Sequence, residues 1–146
     1  MNGPDAGTKP IRLLLVDDQP AVRRGLKMRI ALEQDLEVVG EVGDATEAIP
    51  LAQALHPDVV LMDVEMPGVS GIAAIATLRR VAPHSTVVIF TLYDDAAMRA
   101  RAWEAGATAF VAKHQTEEML LAAIRRAAAE HEQEEHGGDM RDRGDR

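Results

Sequence analysis

Five apolar segments recur along the chain at fairly regular intervals, and stretches with helical spacing separate them. The segments cover residues 11–16, 36–42, 59–62, 86–91 and 108–112. Most of them are continuously apolar rather than alternating, which is typical of strands that are covered on both faces. Because strand and helix alternate five times, the sequence predicts an α/β fold with a doubly wound parallel sheet and helices on both of its faces.

The stretches between the strands carry apolar residues at the spacing of a helix. Three stripes are formed by Val22, Leu26 and Ile30, by Ile72, Ile75 and Leu78, and by Leu120, Ile124 and Ala127. Pro20 suits the first turn of the first helix, and Thr116 is the expected N-cap of the last. Pro50 lies inside the helical stretch 45–55 and is expected to delay the start of that helix or to bend it.

The length of the chain, 146 residues, suits one domain with a full apolar core. Residues 10–130 are expected to form this domain. Residues 1–9 are polar and contain glycine and proline, so we expect them to be disordered. Residues 131–146 are almost wholly polar and contain a glycine pair. They predict a frayed helix end followed by a disordered tail.

Composition excludes several classes of function. The chain has no cysteine, which excludes disulfides and thiolate metal sites. Its formal net charge of −8 argues against direct nucleic-acid binding by this chain, because neutralising phosphates requires a basic surface. No stretch approaches the roughly 18 continuous apolar residues of a membrane span, and the first residues lack the apolar core of a signal peptide. We therefore expect a cytoplasmic protein that does not interact with a membrane.

Polar residues stand where the predicted strands end. Asp17 and Asp18 follow the first strand, Asp63 follows the third, Thr91 ends the fourth, and Lys113 follows the fifth. The carboxyl ends of parallel strands meet at one edge of a sheet, which is where ligands bind in such folds. Three carboxylates at one place repel each other unless a cation lies between them. An all-oxygen ligand set suits Mg²⁺, which works alongside phosphate.

The lysine at this edge narrows the chemistry to phosphoryl transfer. Lys113 is one of three lysines in the chain, and an ammonium at the end of a buried strand is costly unless it meets an anion. Singly, each of the five residues has an ordinary explanation as a cap, turn or strand residue or as a solvated strand end. Together they favour a shared site in which an aspartate is the nucleophile and Mg²⁺ and lysine balance the charge of the phosphoryl oxygens.

Four segments of the sequence resemble the receiver domain of bacterial two-component response regulators, closest to the NarL-type branch. They are "LLLVDDQPAVRRGL", "PDVVLMDVEMPGVSG", "TLYDD" and "GATAFVAK", and the resemblance extends over about residues 11 to 130. It implies a flavodoxin-like five-stranded parallel sheet in the order 2-1-3-4-5, with five helices.

The resemblance also implies a role for each residue at the strand ends. Asp63 would be the phospho-acceptor, taking a phosphoryl group from a partner histidine kinase. Asp18 and Asp63 would bind Mg²⁺ through their side chains, Glu65 through its backbone carbonyl, and Asp17 largely through water. Lys113 would pair with the phosphoryl group.

The resemblance further implies a switch behind the site. Thr91 would move to hydrogen-bond the phosphoryl group, Phe110 would turn inward behind it, and the conformation of the output region 92–114 would change. Many receivers have Tyr where this chain has Phe110, so a hydroxyl hydrogen bond is absent here, and the alternative is that Phe110 is a fixed core aromatic. Arg99 and Trp103 would belong to the output surface. The alternative for Trp103 is packing at a helix end on its own domain.

In the family that this chain resembles, side chains at two further places flank the route of water to the acyl phosphate. Glu65 is two residues after Asp63, and Tyr93 is two residues after Thr91. We hypothesise that an acidic and a bulky side chain at these places slow the loss of the phosphoryl group. The alternative is that both are ordinary exposed loop residues. Unchanged dephosphorylation after Glu65→Ala together with Tyr93→Ala would contradict the hypothesis.

The sequence thus predicts a phosphorylation-dependent signalling switch that does not turn over a metabolite. Its partners would be a histidine kinase and either a downstream protein or its own missing output domain, and a phosphorylation-dependent homodimer is possible. The alternative is the receiver part of a transcription regulator whose helix-turn-helix domain is absent from this chain. An aspartate-nucleophile phosphatase of the haloacid dehalogenase type is less favoured, because that family carries Asp-x-Asp after its first strand. A degenerate receiver is disfavoured because all five key positions are filled.

Overall fold

In the computed structural model, residues 9–65, 71–92 and 95–136 are described, with side chains up to residue 130. Five parallel strands form one sheet in the order β2-β1-β3-β4-β5. The strands are β1 (Ile11–Val16), β2 (Leu36–Val42), β3 (Val59–Met62), β4 (Thr86–Thr91) and β5 (Ala109–Ala112). The helices are α1 (Pro20–Ile30), α2 (Ala45–Leu55), α3 (Gly71–Val81), α4 (Ala96–Ala105) and α5 (Glu117–His136). The predicted flavodoxin-like fold and strand order are confirmed.

Two apolar layers lie on opposite faces of the sheet, because successive strand residues point to opposite sides. The layer that includes α2, α3 and α4 contains Leu14, Val16, Val60, Met62, Ile75, Leu78 and Ile89. The layer that includes α1 and α5 contains Leu13, Leu15, Leu61, Val88, Ile30 and Ile124. The central strand β3 is therefore apolar at every position, and β1 and β4 are apolar at most of theirs, which explains the continuous runs in the sequence.

Helix α2 begins earlier than its proline suggests. It starts at Ala45, and the side chain of Asp44 caps it by accepting the backbone N–H of Thr46 at 2.6 Å. The expectation that Pro50 delays the start is wrong. Pro50 removes one N–H from the helix, but the cap and the buried Ala48 hold the first turn in place.

Helix α5 continues to His136, past the boundary expected at residue 130. The segment 131–136 consists of His, Glu and Gln, and Glu and Gln favour helix even where they do not pack. The expected helix end thus extends to His136, and its fraying stays a prediction. Residues 1–8 and 137–146 lie outside the described residues, so disorder there stays a prediction.

The start of α3 lies directly against the loop that follows β3. A Cβ atom on Gly71 would lie 2.6 Å from the Cα of Val64, closer than two such atoms can approach. Gly71 therefore allows α3 to pack on the backbone that leads away from Asp63.

Among the helices that the structure describes, none has the length and apolar character needed to cross a membrane.

Candidate functional site

The two central strands place Asp17 and Asp63 side by side at the carboxyl edge of the sheet. Val16 pairs with Met62, the last residues of β1 and β3, so the aspartates that follow them leave the sheet at the same level. The backbone N–H of Asp63 donates to the carbonyl of Val16 at 3.0 Å, which continues the ladder by one residue. The aspartates are almost completely buried, with relative exposures of 3% and 5%. Buried carboxylates of this kind require a cationic partner.

That partner is Lys113. Its Nζ lies 2.8 Å from Oδ2 of Asp17 and 2.9 Å from Oδ2 of Asp63. The backbone N–H of Lys113 donates to the carbonyl of Thr91 at 2.7 Å, so β4 fixes the point from which the side chain starts. Burial favours loss of the lysine proton, but the hydrogen bonds and charges of the two aspartates outweigh it, and the pKa of Lys113 is raised. The group is therefore an ammonium that bridges two carboxylates.

The second oxygen of each buried aspartate accepts a backbone N–H. Oδ1 of Asp17 accepts the N–H of Gln19 at 2.9 Å, and Oδ1 of Asp63 accepts the N–H of Glu65 at 2.8 Å. Each carboxylate is thus held between one backbone donor and one ammonium donor. This arrangement fixes the rotamer of Asp63 before any phosphodonor arrives.

Three aspartates form a cluster that could hold a metal ion. Asp17, Asp18 and Asp63 can each offer one carboxylate oxygen such that these atoms lie within 4.8 Å of one another. Asp18 is exposed, so the cluster opens to solvent on its side. Carboxylate oxygens without nitrogen or sulfur ligands fit Mg²⁺, which retains several waters. The role expected for the Glu65 carbonyl remains a prediction.

Thr91 and Phe110 lie on the same face of the sheet, on neighbouring strands. Thr91 pairs with Ala112, and Ile89 pairs with Phe110, so the ring is one pleat away from the threonine. Thr91 is fully buried, whereas Phe110 is partly exposed and packs against the layer of α2, α3 and α4. Phe110 is therefore placed at the border between the core and the surface.

Arg99 and Trp103 lie on α4 beside this ring. The guanidinium carbon of Arg99 is 5.0 Å from the centroid of the Phe110 ring, within the range of a cation–π contact. Trp103 is 49% exposed and lines a groove of about 450 Å³ together with Phe110 and Met119. The groove runs between α4, β5 and α5, so Trp103 lies at it directly, and Arg99 contacts the Phe110 ring that lines it.

Two contacts around Lys113 were not anticipated from the sequence. The Phe90 ring lies beside the lysine, with 5.8 Å from Nζ to the ring centroid. The side-chain oxygen of Gln115 accepts the N–H of Ala112 at 2.7 Å and closes the turn after Lys113. Strand alternation could have placed Phe90 and Lys113 on one face, but nothing in the sequence marks the role of Gln115. Tyr93, the other residue expected to flank the route of water, lies outside the described residues.

The sequence model of the response regulator receiver domain matches residues 13–125. The chain belongs to this family. It is 42% identical over 118 residues to the uncharacterised transcriptional regulatory protein YxjL of Bacillus subtilis, covering 81% of this chain and 54% of that protein. It is 35% identical over 121 residues to the nitrate/nitrite response regulator NarL of Escherichia coli K12, covering 83% of this chain and 56% of that protein.

Solved structures give the same assignment. The signal receiver domain of a NarL response regulator from Mycobacterium tuberculosis superposes with a TM-score of 0.79 at 30% identity, covering 83% of this chain and 98% of that one. The expected NarL-type receiver is thereby confirmed. The chain spans little more than half the length of the curated relatives it matches. Homologous response regulators are signalling proteins, and phosphorylation is the general switch of receiver domains.

Proposed function

We propose that the chain is a phosphorylation-dependent switch in which Asp63 accepts a phosphoryl group from a histidine kinase. The observation that carries this proposal is the bridge from Lys113 to Asp17 and Asp63 at 2.8 and 2.9 Å. It holds the carboxylate of Asp63 at the sheet edge and already supplies one of the charges that phosphoryl transfer needs.

In the proposed reaction a carboxylate oxygen of Asp63 attacks the phosphorus of a phosphohistidine. The new oxygen–phosphorus bond gives an acyl phosphate, and the nitrogen–phosphorus bond breaks with its electron pair left on the imidazole. Lys113 remains beside the phosphoryl oxygens and balances their charge, while the N–H of Glu65 orients the carboxylate. Mg²⁺ held by Asp17, Asp18, Asp63 and the Glu65 carbonyl would supply further positive charge to those oxygens.

The signal then passes along the face shared by Thr91 and Phe110. The Thr91 hydroxyl turns toward the phosphoryl group, and the Phe110 ring follows into the space behind it. This movement changes the groove lined by Phe110 and Trp103, and with it the output region 92–114. The receiver performs this chemistry on itself and turns over no metabolite.

The output partner is a downstream protein, a second phosphorylated copy, or an output domain in a longer chain. The relatives named above are called a transcriptional regulatory protein and a nitrate/nitrite response regulator, and the chain covers 54% and 56% of them. That coverage favours a transcription regulator whose helix-turn-helix part is not included here. With a net charge of −8, this chain would leave contact with nucleic acid to that part.

The proposal is tested by incubating the protein with Mg²⁺ and acetyl phosphate and measuring its intact mass. We expect addition of one phosphoryl group that depends on Mg²⁺ and is absent in Asp63→Asn. Asp58→Asn is the matched control, because Asp58 precedes the same strand at the opposite edge of the sheet. An adduct that persists in Asp63→Asn, or no adduct in the folded unchanged protein, would contradict the proposal.

A further inference from the structure

Arg99 contacts the ring that the proposed switch must move. It lies on α4, and its guanidinium carbon is 5.0 Å from the centroid of the Phe110 ring on β5. Arg99 is exposed and Phe110 is partly buried, so the contact is made at the surface of the protein. A cation held over an aromatic face is attracted by the ring quadrupole, and this attraction depends on the position of the ring.

Small buried side chains lie beside Phe110 on the same face of the sheet and in the layer that covers it. Ala112 is two residues along β5 on the same face and pairs with Thr91 on β4. Ala112 and Ala102 of α4 are each 1% exposed. The ring therefore has a cation over it at the surface, Ala112 and Thr91 follow on the same face of the sheet, and Ala102 belongs to the apolar layer against which the ring packs. A charge stabilises the outward position of the ring, whereas apolar burial would stabilise an inward position.

We propose that Arg99 is a positioning residue that holds the Phe110 ring outward and thereby sets how readily the switch turns on. This inference rests on the proposed function. The guanidinium stabilises the outward ring and loses its contact when the ring turns inward behind Thr91. Removing the guanidinium raises the population of the inward state by roughly two- to fivefold, which is the range of a cation–π contact at an exposed site.

The direction in which loss of the Arg99 charge changes the affinity for a phosphoryl mimic distinguishes this role from through-space electrostatics. Beryllofluoride, a phosphoryl mimic, is an anion, and loss of a nearby positive charge would weaken its binding through space. Loss of a contact that favours the inactive state would instead tighten binding, because apparent affinity scales with the fraction of protein in the competent state. The two roles of Arg99 thus predict opposite shifts in the same measurement.

The experiment measures the apparent affinity for beryllofluoride in the presence of Mg²⁺, followed by fluorescence of Trp103. This residue is the only tryptophan of the chain and lines the same groove as Phe110. Arg99→Gln removes the charged guanidinium and keeps a polar side chain, and Arg101→Gln is the matched control, exposed on the same helix but two residues away. Both changes are also made in a Phe110→Leu background.

We expect Arg99→Gln to bind the mimic roughly two- to fivefold more tightly than the unchanged protein, and Arg101→Gln to bind it equally. In the Phe110→Leu background, Arg99→Gln should have no effect, because the ring that it acts on is gone. Equal affinities for Arg99→Gln and Arg101→Gln, weaker binding by Arg99→Gln, or the same tightening without the ring would overturn the positioning role alone. No response of the unchanged folded protein would contradict the proposed function and this inference with it.

Discussion

Arg125 binds Asp35 through two parallel hydrogen bonds, from Nε to Oδ2 at 2.7 Å and from Nη2 to Oδ1 at 2.8 Å. The same guanidinium reaches Glu33 at 2.7 Å, and Arg29 joins Glu33 to Glu117. These five residues form an ionic network that ties α5 to the end of α1 and to the loop before β2. Helix α5 begins four residues after Lys113, so the network also holds the helix that follows the site.

Removal of the central arginine should weaken this connection. Arg125→Gln loses the two-pronged pair with Asp35, which is partly exposed, so we expect a loss of about 1 kcal/mol or less in the free energy of unfolding. Urea denaturation measures it, with Arg126→Gln as control, since Arg126 faces the groove instead. The difference should shrink in high salt. A difference that is unchanged in salt would show that packing, not charge, holds α5 there.

The same network should make stability fall in acid. Hydrogen bonds from Arg29 and Arg125 lower the pKa of Glu33, and the hydrogen bonds from Arg125 lower the pKa of Asp35. Their folded-state pKa values are lower than the unfolded ones, so their stabilisation is present above about pH 4 and is lost as pH falls through the folded values. The stability difference between the unchanged protein and Arg125→Gln should therefore narrow below about pH 4. A constant difference throughout a pH series of urea denaturations would contradict this.

The close approach of Gly71 to Val64 predicts a strong effect of a single methyl group. Gly71→Ala places a Cβ 2.6 Å from the Val64 backbone, and relief requires movement of the loop that positions the Glu65 N–H on Asp63. We expect a loss of about 1–3 kcal/mol in the free energy of unfolding and slower reaction with acetyl phosphate.

Gly25→Ala is the matched control for that change. A Cβ at Gly25, in the middle of α1, would meet nothing within 4 Å. The alanine should stabilise the helix by about 0.5–1 kcal/mol and leave the reaction rate unchanged. If Gly71→Ala were as stable and as reactive as Gly25→Ala, the packing of α3 on this loop would not control the site.

Lys113 and a divalent cation should compete for the same carboxylates. Lys113→Met removes an ammonium that lies within 3 Å of oxygens of Asp17 and Asp63. We expect Mg²⁺ affinity to rise by roughly tenfold. The free energy of this change is a fraction of the about 4 kcal/mol with which two unit charges interact at 4 Å and an effective dielectric constant of 20. Reaction with acetyl phosphate should fall despite the tighter metal, because the phosphoryl oxygens lose their ammonium.

Calorimetric titration with Mg²⁺ and intact mass measure the two effects of Lys113→Met. Lys27→Met is the control, because Lys27 pairs with Glu41 on the surface. Unchanged or weaker Mg²⁺ binding by Lys113→Met, with Lys27→Met behaving like the unchanged protein, would show that the lysine and the metal do not share ligands.

The sheet and the candidate site could be predicted because short segments of the sequence carry the pattern of each. Strands β1, β3, β4 and β5 are mostly apolar runs that end at or directly before a polar residue, and three of these polar residues, Asp17, Asp63 and Lys113, lie together in the structure. The helical stretch 45–55 was predicted as well, and of the two effects expected of Pro50 the delayed start is wrong because the Asp44 cap sets the start of α2. Contacts between distant segments carried no such signal: Arg125 and Asp35 are 90 residues apart, and only the folded chain brings them together.

Locating the phosphoryl group on the chain tests the central proposal most directly. After reaction with Mg²⁺ and acetyl phosphate, borohydride reduces an acyl phosphate so that the modified aspartate becomes homoserine, which peptide mass spectrometry then locates. The proposal predicts homoserine at position 63 alone, where Lys113 lies 2.9 Å from the carboxylate. Homoserine at position 17 or 18, or a phosphoryl group that resists reduction because it lies on another kind of side chain, would contradict the proposal that Asp63 is the phospho-acceptor.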